Sequence, residues 1–157
     1  PVIGDFTNAN HLNSVHSSII TVVKSADETV NNSTVLQNDD EILAALVANG
    51  VYRFTFFLLM NSSVAADFKF QFTVPAAASL WGLAFDIEGG TYRTFEVVET
   101  SAVTLQGEAA TNQITMEGVI INGANAGNVQ FQWAQNTAEV SDTKVLKNSV
   151  LTVTRVG

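Results

Sequence analysis

Alternation with a period of two dominates this chain. Within residues 67–74, Phe68, Phe70, Phe72 and Val74 fall on one side and Lys69, Gln71 and Thr73 on the other. Successive side chains of an extended strand point to opposite faces, so this spacing predicts a half-buried β-strand. Residues 52–60 repeat the pattern, with Tyr52, Phe54, Phe56, Leu58 and Met60 on one face. Their other face starts polar at Arg53 and Thr55 and turns apolar at Phe57 and Leu59. A strand apolar on both sides lies centrally in a sheet or under a second layer. Further strands are expected at 19–23, 80–87, 92–98, 102–106, 113–121, 129–134 and 150–155, where β-branched and aromatic residues gather.

Turn residues separate these runs. Glu88-Gly89-Gly90 lies between two strands as a hairpin signal, and Asn122 to Gly127 forms a longer loop. Ala48-Asn49-Gly50 precedes the aromatic strand in the same way. Residues 41–48 are the one stretch where two periods compete. Their alanines and leucines favour a helix by intrinsic propensity, with Ile42, Leu46 and Ala45 near helical spacing. Eight residues make a short helix and the Asn-Gly turn leads straight into a strand, so a strand is expected there, with helix the alternative. Many short strands divided by turns predict an all-β, single-domain fold over residues 19–157: an antiparallel β-sandwich of jelly-roll-like form, or a β-barrel.

Residues 1–18 differ. They are rich in Asn and Ser, with scattered Phe6, Leu12 and Val15, and hold too little apolar surface for a core of their own. They read either as a frayed terminus or as an extended N-terminal arm whose Phe6, His11, Leu12, Val15 and His16 dock on a neighbouring subunit.

Composition narrows the functional classes. A chain of 157 residues is one domain with an adequate core. The absence of cysteine removes disulfides, thiolate metal sites and a cysteine nucleophile. A net charge of −8 disfavours nucleic acid, because too few cations exist to neutralise phosphates. No apolar run reaches the roughly 18 residues of a membrane span, and residues 1–6 lack the basic and apolar regions of a signal peptide. Charged residues make up only 14%, against about 25% in ordinary domains. A surface so poor in charge suits extensive contact with other protein.

Candidate chemistry is sparse. His11 and His16 are five apart with Asp5 the nearest carboxylate, too few ligands for a metal, and a Ser-His-Asp triad has no support in such a segment. Asp39-Asp40-Glu41 offers oxygens, but without the spacing of a calcium loop, and reads as a solvated acidic turn. Asp86 and Glu88 alternate on one strand and read as solvent-facing rather than as an acid pair across a cleft. Asn31-Asn-Ser, Asn32-Ser-Thr and Asn61-Ser-Ser match the glycosylation pattern but are ordinary turn residues. Trp81 and Trp133, with Tyr52 and Tyr92, could stack a sugar, yet both tryptophans sit within apolar alternation and are expected in the core. With no phosphate-binding loop or dinucleotide fingerprint either, no catalytic residue and no cofactor is expected.

Ala26-Asp-Glu-Thr-Val-Asn-Asn-Ser33, Leu36-Gln-Asn-Asp-Asp-Glu41, the strand 52–60 and Asp67-Phe-Lys-Phe70 together resemble a recurrent module of tailed-bacteriophage virion proteins. The later pattern, from Gly118 through Phe131-Gln-Trp-Ala-Gln135 to Leu151-Thr-Val-Thr-Arg155, is similar to it too, so the resemblance spans about residues 19–157. Residues 1–18 carry no motif of the family, and 41–48 are richer in alanine than the module. The resemblance is strongest to capsid decoration (cement) proteins. It implies a non-catalytic homotrimer, made in the host cytoplasm, that binds the major capsid protein on the outer surface of the virion. A receptor- or carbohydrate-binding module of a head or tail fibre is the alternative.

Overall fold

A computed structural model describes residues 18–88, 91–108 and 110–157. Among the described residues there are twelve strands and no helix. They are β1 Ile19–Val23, β2 Glu28–Val30, β3 Gln37–Leu46, β4 Val51–Asn61, β5 Phe68–Thr73 and β6 Ser79–Glu88. β7 Thr91–Val98, β8 Val103–Leu105, β9 Thr111–Ile121, β10 Gly127–Gln135, β11 Thr143–Val145 and β12 Val150–Arg155 complete the chain. The larger sheet runs β1-β12-β4-β9-β6-β7, with β11 added to β4 and β2 to β11. The smaller runs β3-β10-β5-β8. Two separate antiparallel sheets make this a jelly-roll-like β-sandwich rather than a barrel.

Each sheet contributes one face to a shared core. Phe54, Phe56, Leu58, Met60, Met116 and Leu151 come from the larger sheet, and Phe68, Phe70, Phe72, Phe131 and Trp133 from the smaller. The ring of Phe56 meets Phe131 edge-on at 4.8 Å, and Trp133 stacks on Phe68 at 5.9 Å. Each such side chain contributes roughly 1.5–3 kcal/mol on burial. At the centre of the larger sheet, Gly118 pairs with both Phe54 and Gly82. A methyl group on Gly118 would lie 2.6 Å from the Phe54 ring, and one on Gly82 3.1 Å from it. These two glycines make the room that the Phe54 ring fills.

Residues 41–46 are strand, not helix, as part of β3. The expected acidic turn at 39–41 is corrected: β3 already begins at Gln37, and residues 39–42 bulge where Gln130 pairs with Leu43 and Gln132 with Asn38. The bulge turns Asp39 inward. Its Oδ1 accepts the backbone N–H groups of Glu41 and Ile42 at 3.0 and 2.8 Å, and Lys24 Nζ donates to the same oxygen at 2.9 Å. Lys24 and Asp39 are both buried. Two strands, β2 and β11, have no counterpart among those expected; at three residues each they are too short to show alternation.

The segment 1–18 expected as an arm, with Phe6, His11, Leu12, Val15 and His16, lies outside the described residues apart from Ser18, whose carbonyl accepts the Arg155 N–H at 2.9 Å.

Candidate interaction face

Cross-strand register places the outward side chains of the larger sheet in three parallel rows. One row crosses six strands as Ile19, Thr154, Arg53, Val119, Trp81 and Val98. The next reads Thr21, Thr152, Thr55, Glu117, Leu83 and Glu96, and the third Val23, Val150, Phe57, Thr115, Phe85 and Thr94. Of these eighteen side chains only Arg53, Glu117 and Glu96 are charged. Ile19, Val23 and Trp81 are more than half exposed, and Ile121 lies exposed beyond Val119 on β9.

Strand β6 explains much of this surface. Its inward set is Leu80, Gly82, Ala84 and Asp86, while its outward set is Trp81, Leu83 and Phe85. The larger apolar residues thus face away from the core, because the Phe54 ring occupies the space beside Gly82. Trp81, at 57% exposure, is a correction to the expectation that both tryptophans are core; Trp133 alone is. The Trp81 indole N–H donates to Glu96 Oε1 at 2.7 Å, which holds the ring in one orientation. Two shallow hollows flank Arg53. One of about 330 Å³ is lined by Thr55, Thr152, Thr154 and Val156, the other of about 180 Å³ by Trp81, Leu83, Glu117 and Val119.

The carboxylates considered for chemistry are occupied elsewhere. Asp86 is buried rather than solvent-facing, a second correction. Its Oδ2 accepts from Arg93 at 3.2 Å and its Oδ1 from the Asn112 amide at 3.1 Å, which ties β6 to its neighbours β7 and β9. Nothing is described of the Glu88 and Tyr92 side chains. Tyr52 is buried, its hydroxyl accepting the Val47 N–H at 2.7 Å. Glu28 and Glu41 join Asp39 around the Lys24 ammonium, at 2.9 and 3.9 Å, so an internal cation already sits where a metal would. Among the described residues no group of three His, Asp or Glu side chains is arranged to hold a metal ion.

Protonation in this cluster follows its geometry. Burial alone would push the Lys24 ammonium down, but hydrogen bonds to Glu28 and Asp39 outweigh it and hold its pKa above the ordinary lysine value. Burial pushes the Glu28 carboxyl up against the hydrogen bond from Lys24. The exposed Glu41 carboxyl is lowered by the Ser25 backbone N–H, and Glu139 by Ser141.

No protein-family model matches this chain, and no curated protein does. Among solved structures, murine APRIL at pH 8.5 is similar over 89% of this chain and 99% of its own, at 11% identity and a TM-score of 0.43. The Gt strain of infectious bursal disease virus is similar over 90% of this chain and 42% of its own, at 12% identity and a TM-score of 0.25. The VP2 subviral particle of the same virus gives 90%, 40%, 11% and 0.24 in that order. Likenesses this remote carry no function across.

Proposed function

We propose that this chain is a non-catalytic structural protein of a virion: a decoration (cement) protein that binds the outer capsid surface of a tailed phage and stabilises the head. The observation that carries this reading is the broad, charge-poor outer face of the larger sheet, which crosses six strands and exposes Trp81 on β6. Large exposed apolar patches mark protein contact sites. The engagement of Asp39 and Asp86 in buried pairs supports a scaffold over an enzyme. The sequence resemblance supplies the capsid, and the net charge of −8 suits the outside of a DNA-filled shell, away from phosphate.

In this reading the protein is a homotrimer, and residues 1–18 supply the contact with the major capsid protein. The test is to add purified protein to undecorated capsids. Saturable binding and a higher temperature of capsid disruption are expected; protein that ignores capsids at every concentration sinks the reading. Deleting residues 1–18 should weaken capsid binding more than it lowers the melting temperature, and equal loss of both would place the segment in the folding core.

Exposed Trp81 beside the smaller hollow favours one second reading, a receptor- or carbohydrate-binding module of a fibre. A glycan-array signal that disappears in Trp81→Ala would select it over cement.

A further inference from the structure

We propose that the outer face of the larger sheet is where a second copy of this chain docks, with Arg53 of one protomer set against Glu117 of the next. This rests on the reading of the chain as an assembly protein, but it is tested with no capsid present.

The occupant follows from charge. The molecule carries −8, so two copies repel unless they meet where charge is low and balanced. The three rows of the outer face bear one cation and two carboxylates among apolar and threonine side chains. Glu96 is engaged with the Trp81 indole. The side chains of Arg53 and Glu117 have no hydrogen-bond or ion-pair partner among the described residues. They lie on neighbouring strands one row apart, lining the same hollow. One unpaired cation beside one unpaired anion is self-complementary. A rotation that brings Arg53 over the neighbour's Glu117 satisfies both sites on a twofold axis, and satisfies one site per contact in a ring. A basic partner would leave Arg53 opposed, and an acidic one would leave Glu117 opposed.

Preorganisation strengthens the case. Trp81 is held by Glu96, so ordering it costs little entropy on docking. Exposed tryptophan and arginine are the residue types on which interface energy concentrates. Around them, Val119, Ile121, Phe57 and Phe85 supply exposed apolar surface.

The experiment is sedimentation velocity on the full chain over a dilution series, with Arg53→Glu, Glu117→Arg and the double variant beside the original. The original should assemble. Each single reversal sets like charges against each other and should raise the dissociation constant about tenfold or more. The double variant restores opposite charges and should recover most of the lost affinity. A monomeric original, single variants that assemble normally, or a double variant as weak as the singles would each overturn the proposal.

A measurement on the unaltered protein guards against variants that fail to fold. Trp133 is fully buried and Trp81 is not, so acrylamide quenching of tryptophan fluorescence reports on Trp81. Quenching should rise on dilution in step with dissociation; quenching that stays constant while the mass falls would place the contact elsewhere. Self-association without capsid binding would sink the cement function and leave this interface standing, whereas capsid binding by an oligomer whose assembly ignores both charge reversals would do the reverse.

Discussion

The two outward faces of this sandwich are built to opposite plans, although their inward faces form one core. On the smaller sheet, Asn38, Gln132 and Gln71 lie side by side and bond in series: Gln132 donates to Asn38 at 2.7 Å and Gln71 to Gln132 at 2.6 Å. Gln130 donates to the Asp39 carbonyl at 2.9 Å and Lys69 to the Thr34 carbonyl at 2.8 Å. The larger sheet presents Trp81, Phe57, Phe85 and Val119 instead, with Arg53 and Glu117 making no side-chain hydrogen bond or ion pair among the described residues. An amide ladder is satisfied within the chain and is also compatible with water. A charge-poor face with exposed apolar side chains gains more from burial against another surface. The contrast teaches that the polar side chains of one outer face are matched within the chain, whereas the other face is where the proposed contact with protein would form.

The largest effect should come from separating the two sheets, since both plans presuppose one rigid body. Lys24 follows β1 of the larger sheet and reaches Asp39 in β3 of the smaller. Lys24→Met would leave the Asp39 carboxylate buried and unpaired, which costs about 3–5 kcal/mol. The urea midpoint should fall accordingly; an unchanged midpoint would show that the seam is held by apolar packing alone. The same pair sets an alkaline limit. With its folded pKa above the ordinary 10.5, Lys24 contributes stability that is complete below that value and is lost as pH rises through the folded pKa. The original protein should weaken in that window, and Lys24→Met should not.

Next in size is a conversion of one face into the other. Changing Gln71 and Gln132 to Val would remove the amide ladder and extend an apolar strip over the smaller sheet. Both side chains are partly exposed, so their loss should move stability by about 1 kcal/mol or less. Association, followed by light scattering, should increase. A variant that stays as dispersed as the original would mean that outer-face polarity does not govern contact in this protein.

The reciprocal change is gentler on the fold. Trp81→Ser together with Phe57→Ser should lower the melting temperature only modestly, because Trp81 is more than half exposed and Phe57 about a third. Self-association and capsid attachment should both fall. A large loss of stability instead would make the outer face a covered part of the monomer.

How much of this was legible in the sequence depended on how far each residue's partner lies along the chain. Phe54 and Phe56 of β4 and the phenylalanines of β5 declare their faces through strict alternation, and all proved buried as expected. β6 does not declare itself: Leu80, Trp81, Leu83 and Phe85 are apolar on both parities, and only the Phe54 ring over Gly82 decides which set turns inward. Trp81 was therefore misplaced. One signal was available, since Gly82 and Ala84 make the inward set the smaller one. Asp39 was misread as solvated because its partner Lys24 lies 15 residues away, joined by register rather than by motif. Asp86 has Asn112 26 residues away, but also Arg93 directly across the expected Glu88-Gly-Gly hairpin, a pairing that hairpin register could have signalled.

The smallest expected effect lies at the same seam, on the acid side. Glu41 of β3 accepts the backbone N–H groups of Ser25 and Ala26 at 2.9 and 3.4 Å, which tie the loop after β1 to the smaller sheet. These bonds lower its folded pKa below the ordinary 4.5. Its contribution is therefore present above that value and is lost as pH falls through the folded pKa. Glu41→Gln keeps an oxygen acceptor but removes the titration. Its urea midpoint should sit slightly below that of the original at neutral pH, and the gap should close as the medium is acidified. A gap that persists unchanged in acid would assign the difference to side-chain packing, and would leave the contacts of Lys24 and Glu28 with β3 as the charged ties between the two sheets.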